Sequence, residues 1–112
     1  MRKKIKIAIP TDDGIIVSQK FGYPKGFLVA IVISGQIVRQ EMRRNLLSEI
    51  LTSEHGMYYN LCDCHVVIVN EISNCHIEFL QSKKKEVVRT NETEISKAFC
   101  TYLTSILSLV NA

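Results

Sequence analysis

The sequence predicts an α/β fold built on one mixed five-stranded sheet with helices on its faces. Three observations lead to this fold class. The run Val66 to Val69 contains only β-branched residues, which is typical of a strand that is covered on both faces and has a parallel neighbour. An apolar stretch precedes the tight turn Ser34-Gly35 and an imperfectly alternating segment follows it, which together predict an antiparallel hairpin. Residues 92 to 109 carry a wide apolar stripe at helical spacing.

The first three strands are predicted from the amino-terminal part of the chain. Ile5 to Pro10 is apolar enough to be buried on both faces, and the turn-forming cluster Thr11 to Gly14 ends it. Gly26 to Ser34 is dense in β-branched and aromatic residues, and Gln36 to about Arg43 is its hairpin partner. We place a helix from about Ser53 to Leu61, before the next strand.

Strands and helices alternate in the rest of the chain. The buried strand near residues 65 to 70 is followed by Ser73, which can cap a helix that runs to about Ser82. Glu86 to Thr90 is a short fifth strand. The order is thus β-β-β-α-β-α-β-α, and its crossovers between parallel strands must be right-handed.

The last helix is predicted from about Glu92 to Leu109. Asn91 and Glu94 form a capping-box-like start. Phe99 lies in the middle of the apolar stripe, so we expect this side chain to anchor the helix in the core. In a sheet of this kind a ligand binds where loops leave the carboxyl ends of the strands. That rule places residues 11 to 22 and 70 to 76 at one rim.

Composition limits the class of protein. The chain has 112 residues, of which 46% are hydrophobic and 22% charged, and these values predict one packed domain spanning residues 1–112. A formal net charge of +3 is too small to indicate a nucleic-acid partner. The longest apolar run, Phe27 to Ile33, is far shorter than the ~20 residues that span a bilayer. We therefore expect a cytoplasmic protein without a membrane partner.

Four cysteines in a reducing compartment favour metal binding or burial over disulfides. Cys62 and Cys64 precede the buried strand and Cys75 follows it, which separates them by roughly 20 Å at ~3.3 Å per residue. Metal–ligand bonds of about 2.3 Å exclude one site built from all of them. We expect Cys62 and Cys64 to be buried, and Cys100 to pack beside the last helical stripe.

Cys75 differs from the other cysteines because it falls at the start of the helix that Ser73 caps. The unpaired backbone N–H groups and the helix dipole favour a thiolate there. His76 is its neighbour. The residues alone leave two interpretations open: a metal ligand or reactive thiol, and a half-buried bystander.

Three carboxylates, those of Asp12, Asp13 and Glu71, follow strands that end at the same rim. A two-metal hydrolase would require such a cluster. However, Asp-Asp-Gly directly after a strand is first of all a turn, and we favour that interpretation.

Several stretches of the chain together follow the pattern of a known family: Ile7 to Gly14, Val17-Ser18, Phe21-Gly22, Phe27 to Val29, Leu61 to Val69, and Glu86 to Ile95. In these stretches the sequence resembles the dinitrogenase iron-molybdenum cofactor biosynthesis family. That family includes nitrogenase accessory proteins of the NifX type and the carboxy-terminal domain of the NifB type.

The resemblance implies a ribonuclease-H-like fold and a non-catalytic module that binds or carries an iron-sulfur or iron-molybdenum cofactor precursor. The implied partner is a protein that donates or accepts the metallocluster. Cys75 and His76 are then the expected metal ligands, and Lys20, Ser73 and the helix amides would help to hold an anionic cluster. The alternative is an interaction or regulatory domain that kept the fold and lost the ligand.

Two positions differ from the common family pattern. Lys20 stands where the family commonly has a histidine, within Ser18-Gln19-Lys20-Phe21-Gly22. Asn70-Glu71-Ile72-Ser73 stands where the family commonly has Gly-Gly-Ile-Gly. The larger side chains of the second segment narrow a space that the family keeps open.

Overall fold

The computed structural model describes residues 4–19, 25–44 and 61–111, with side chains as far as residue 105. Its strands are β1 (Lys4–Thr11), β2 (Gly26–Ile33), β3 (Gln36–Arg44), β4 (Val66–Val69) and β5 (Glu86–Arg89), and its helices are α1 (Asn74–Ser82) and α2 (Ile95–Asn111). The five strands form one sheet in the order β3-β2-β1-β4-β5. This confirms the predicted mixed sheet and the α/β class.

The predicted helix from Ser53 to Leu61 lies outside the described residues except for its last position. Leu61 is helical and fully buried. Neither of the two described helices is long and apolar enough to cross a membrane.

The antiparallel half of the sheet is a three-stranded meander. β1 pairs with β2, and β2 pairs with β3. Ser34 and Gly35 both have positive φ, of 55° and 79°. A turn with positive φ at both central residues matches the right-handed twist of its strands, which explains why Ser-Gly supports this hairpin. The register shifts between Ile31 and Val32, so that Val38 is an extra residue in β3.

The parallel half is built on β4, which pairs in parallel with both β1 and β5. All four residues of β4 are buried, as the β-branched run predicts. Successive residues of a strand point to opposite faces. Two hydrophobic clusters therefore form, one on each face of the sheet.

The two faces are covered by different elements. On one face Ile7, Ile9 and Ile68 pack with Phe99 of α2. On the other face a second set of side chains packs with Leu80 of α1: Ala8, Phe27, Val29, Leu61, Cys64, Val67 and Val69. Phe99 is 2% exposed, which confirms that it lies in the core.

The predicted start of the last helix is wrong by three residues. The helix begins at Ile95, and Asn91 with Glu94 does not form its cap. The cause is pairing with a distant loop, since the Val17 N–H donates to the Thr93 carbonyl at 2.8 Å and the Ile95 N–H donates to the Ile15 carbonyl at 2.9 Å. These bonds hold the chain extended until Ile95.

An ion cluster joins the edge strand β3 to the segment before β4. The Nη1 and Nη2 atoms of Arg43 donate to the two carboxylate oxygens of Asp63 at 2.6 and 2.9 Å, and Lys6 Nζ donates to Asp63 Oδ2 at 2.8 Å. The hydrogen bonds from Arg43 hold the pKa of Asp63 well below its usual value. The carboxylate is therefore stabilised in its ionised form.

We expect Phe99→Ala to lower the free energy of unfolding by about 3 to 5 kcal/mol, because it removes buried surface and leaves a cavity. Chemical denaturation followed by circular dichroism measures this change. Thr101→Ala, at an exposed position of the same helix, is the matched control and should stay within about 0.5 kcal/mol of the wild type. An unchanged midpoint for the Phe99 variant would show that α2 does not pack as described.

We expect Asp63→Asn to lower the free energy of unfolding by about 1 kcal/mol at pH 7, since the carboxylate is partly exposed and solvent screens its ion pairs. The pKa of Asp63 is depressed in the folded state, so its contribution is full above the unfolded value and is lost as the pH falls through the folded value. The difference in the free energy of unfolding between wild type and variant should therefore shrink below about pH 4. Denaturation midpoints of both proteins, measured from roughly pH 2.5 to 7, test this pH dependence. A difference in stability that stays constant over this range would contradict a depressed pKa at Asp63.

Candidate functional site

The loops that follow β1 and β4 meet at one rim of the sheet, as predicted. The backbone N–H of Glu71, after β4, donates to the carbonyl of Gln19, after β1, at 3.1 Å. From β1 the chain continues into β2 on one side, and from β4 it continues towards β5 on the other side. Such a divergence opens a crevice at the carboxyl ends of neighbouring parallel strands, where ligands bind in open α/β sheets.

The side of the rim that follows β1 is a tightly bonded turn. Asp13 Oδ1 accepts hydrogen bonds from the backbone N–H groups of Ile15 and Ile16, each at 2.9 Å. The bond from Ile16 and then that from Ile15 are the main causes of a lowered pKa at Asp13. Thr11 is buried, and its hydroxyl donates to the Ile16 carbonyl at 2.6 Å. The carboxylate of Asp13 thus stabilises the turn, which supports the turn interpretation.

The alternative two-metal site is not formed by the part of the chain that the structure describes. Asp12 Oδ1 accepts a bond from the Lys25 backbone N–H at 2.9 Å. No group of three His, Cys, Asp or Glu side chains within the described ranges is placed to hold one metal ion. Asp12, Asp13 and Glu71 therefore do not form the cluster that a two-metal hydrolase requires.

The side of the rim that follows β4 brings three predicted residues together. Ser73 is the N-cap residue of α1, and its Oγ lies 2.9 Å from His76 Nδ1 and 3.2 Å from Cys75 Sγ. We call these three residues the Ser73 cluster. The Ser73 side chain makes no capping hydrogen bond, which corrects the predicted cap. Its hydroxyl is engaged by the imidazole and the thiol instead.

The Ser73 cluster is open to solvent and chemically versatile. Cys75 is exposed and His76 is half-buried. When Nδ1 of His76 carries no proton, the thiol can donate to the Ser73 hydroxyl while that hydroxyl donates to the imidazole. A ligand that binds Sγ as a thiolate therefore has a path by which the thiol proton leaves. A thiolate and an imidazole are also donors that soft metals prefer.

The remaining cysteines differ from one another. Cys64 is buried as predicted, at 2% exposure, and burial raises the pKa of its thiol to about 12. The predictions for Cys62 and Cys100 are wrong, because both side chains are exposed. Lys85 Nζ donates to the Cys62 carbonyl at 2.8 Å, so the turn before β4 is held by its backbone and not by burial of the Cys62 side chain. Cys100 follows Phe99 on α2 and lines a groove between α2 and β3.

Lys20 lies outside the described residues, so its role at the rim stays a prediction. Gln19, the residue before it, is a part of the rim that its residue type does not predict. The carbonyl of Gln19 accepts the bond from Glu71, which brings the chain to the rim immediately before Lys20. The only sequence signal for this contact is the position of Gln19 inside the resembling stretch Ser18 to Gly22.

Comparison with known families gives one match that covers most of the chain. The family model described as dinitrogenase iron-molybdenum cofactor matches residues 3–105. No curated protein matches the chain.

Solved structures share the fold. The chain is similar to the apo form of the orange protein from Desulfovibrio gigas, with a TM-score of 0.74, 19% identity, and coverage of 89% of this chain and 88% of that chain. It is similar to a dinitrogenase candidate from Methanocaldococcus jannaschii, with a TM-score of 0.71, 19% identity, and coverage of 92% and 91%. A NifB candidate from Thermotoga gives a TM-score of 0.65, 14% identity, and coverage of 88% and 86%.

We expect Cys75 to be the thiol alkylated fastest in the native protein and Cys64 to be the slowest. Cys75 is exposed beside the backbone N–H groups at the start of α1, whereas burial and a raised pKa protect Cys64. Time-resolved alkylation with peptide mapping measures all four rates, and the denatured chain, in which the four rates should converge, is the control. Faster alkylation of Cys62 or Cys100 than of Cys75 would show that the start of α1 does not raise the reactivity of the Cys75 thiol.

Proposed function

Because the chain belongs to the dinitrogenase iron-molybdenum cofactor family, we propose that it binds an iron-sulfur or iron-molybdenum cofactor precursor and passes it on without catalysing a reaction. Membership implies a role in binding or biosynthesis of that cofactor. The metallocluster is cargo in this proposal, received from one protein and delivered to another. The ribonuclease-H-like classification, the single domain over residues 1–112 and the cytoplasmic location stay predictions.

The Ser73 cluster is the observation that carries the proposal. It presents an exposed thiol and a half-buried imidazole around one hydroxyl, at the rim where this type of sheet binds ligands. Thiolates hold iron-sulfur clusters, and imidazole can replace a thiolate on iron. We assign Cys75 and His76 as the ligands to the metal and Ser73 as the group that orients them.

Electrostatics at the start of α1 favours an anionic cargo. The helix has nine residues and no acidic side chain in its first turn. Its unpaired N–H groups and the positive end of its dipole therefore face the Ser73 cluster, and no acidic side chain of that first turn offsets them. Lys20, the next residue in the sequence after Gln19, is proposed as a further positive charge.

The small number of candidate ligands among the described residues supports transfer over permanent storage. Within residues 4–19, 25–44 and 61–111 no third His, Cys, Asp or Glu joins Cys75 and His76 in a metal-binding group. A cluster held by two protein donors keeps positions for ligands from a second protein. Such a cluster can be exchanged more readily than one enclosed by four thiolates.

One observation favours the second candidate, an interaction or regulatory domain without a ligand. Asn70, Glu71 and Ser73 stand where the family commonly has glycines, whereas Ile72 stands where the family also has isoleucine and packs against the core cluster on the α1 face. The three added side chains take up space beside the Ser73 cluster that glycines would leave open. A measurement of metal binding separates the two candidates.

We expect anaerobic reconstitution with iron and sulfide to load the protein, and Cys75→Ser to lower the bound iron by at least about half, because the substitution removes the thiolate donor. Iron counting per chain and the visible absorption of the cluster are the measurements. Cys100→Ser, which removes another exposed thiol that lies on α2, is the matched control and should retain the wild-type iron content.

His76→Ala should also lower the iron content, with circular dichroism confirming that the fold is kept. Equal iron loss in the Cys75 and Cys100 variants would contradict the assignment of the ligands. A wild-type chain that takes up no iron would favour the interaction domain instead.

A further inference from the structure

The pairing between β1 and β4 ends at a side chain that can take up a proton. The register of these two strands comprises only two residue pairs. Immediately before them the His65 N–H donates to the Lys6 carbonyl at 2.8 Å, and the Lys6 N–H donates to Nδ1 of the His65 imidazole at 3.0 Å. The imidazole thus takes the place of a backbone carbonyl at this end of the ladder.

The hydrogen bond between Lys6 and the imidazole requires one protonation state of His65. A neutral imidazole has one ring nitrogen that donates and one that accepts, so Nδ1 can accept only while the proton is on Nε2. In the protonated ring both nitrogens are donors. Nδ1–H would then face the Lys6 N–H, donor against donor, and the bond would be lost.

The ring of His65 is accessible to protons from solvent, because the residue is exposed. Histidine is the side chain that changes charge between about pH 8 and 5. The ion pair between Lys6 Nζ and Asp63 stays intact over that range, since the hydrogen bonds from Arg43 hold the pKa of Asp63 well below its usual value. The bond to Nδ1 therefore responds to pH where the neighbouring ion pair does not.

The charged groups on the described elements next to His65 carry both signs. They are Lys4 and Lys6 on β1, Asp63 before β4, and Lys85 and Glu86 where β5 begins. The Asp63 carboxylate is paired with Lys6 at 2.8 Å, and the Glu86 carboxylate accepts from the Tyr102 hydroxyl at 2.7 Å. Neither carboxylate bonds the imidazole, so the bond to Lys6 is the contact of the ring that protonation removes.

We propose that the His65–Lys6 hydrogen bond makes the junction of β1 and β4 sensitive to pH, because it forms with the neutral imidazole and is lost when the ring is protonated. Its contribution to stability is full at the alkaline end of the histidine range and disappears as the pH falls. β1 and β4 lead into the two loops of the rim, which meet where the Glu71 N–H donates to the Gln19 carbonyl. Acidification therefore weakens the pairing that positions the candidate site, whether or not a metallocluster is bound.

Chemical denaturation of the metal-free full chain tests the proposal with two variants. His65→Asn places an amide oxygen near the position of Nδ1, so it keeps an acceptor that does not titrate, whereas His65→Leu removes the acceptor at every pH. Between about pH 8 and 5.5 the unfolding constant of the wild type should rise about two- to tenfold more than that of His65→Asn. His65→Leu should be less stable than His65→Asn at both pH values and should show no such excess.

The other histidines, His55 and His76, are present in all three proteins. Their contribution to the pH dependence is therefore the same in each, and the comparison isolates position 65. An equal rise of the unfolding constant in the wild type and in His65→Asn would overturn the proposal.

Nuclear magnetic resonance gives a second readout at the atoms concerned. In the wild type the amide proton of Lys6 should change its chemical shift with the same pH midpoint as the His65 ring, and the amide proton of Glu71 should follow if the effect reaches the rim. Neither shift should occur at that midpoint in His65→Asn, and the Val29 amide in β2 is the control that should stay constant in both proteins. A Lys6 amide that does not follow the ring would contradict the pH-sensitive bond, and a Glu71 amide that does not follow would contradict its effect on the rim.

Discussion

The short pairing between β1 and β4 holds the two halves of this protein together. Only Ile7 with Val66 and Ala8 with Val67 form its register. Lys6 strengthens it, because its backbone carbonyl accepts from the His65 N–H and its own N–H donates to His65 Nδ1, at 2.8 and 3.0 Å. Without this junction the antiparallel meander and the parallel pair would be separate sheets. Neither hydrophobic cluster would then be complete, because each draws side chains from both halves.

The same junction explains where the candidate site lies. β1 and β4 run in parallel, so their carboxyl ends reach one rim, and their continuing chains separate to opposite sides of the sheet. The Asp13 turn closes the rim on one side, and α1 starts on the other side with Ser73 and Cys75. The order of the strands thus brings the side chains at the start of α1 next to the backbone of the loop that follows β1. The chemistry of the site depends on a central pairing that contains no ligand residue itself.

The sequence predicts what is determined locally and misses what depends on distant contacts. Ser34-Gly35 and the run Val66 to Val69 contain their own structural cause, as do Cys75 and His76, which are neighbours on one helical turn. The start of α2 at Ile95 is different, because hydrogen bonds to a loop roughly 80 residues earlier decide it. The turn that contains the exposed Cys62 likewise depends on a distant contact, because the Cys62 carbonyl accepts a hydrogen bond from Lys85 Nζ. No periodicity within either segment contains that information.

The order of strands in the sheet also has a consequence for how the chain folds. β1, β2 and β3 are consecutive in sequence and adjacent in space, so their pairing closes connections of only 14 and 2 residues, which are residues 12–25 and 34–35. The junction, by contrast, brings together Lys6 and His65, which are 59 residues apart. The entropy lost on closing a loop grows with its length, and non-local pairing slows folding. The topology therefore favours early formation of the meander, with the rim that carries Cys75 assembled only when β4 docks against β1.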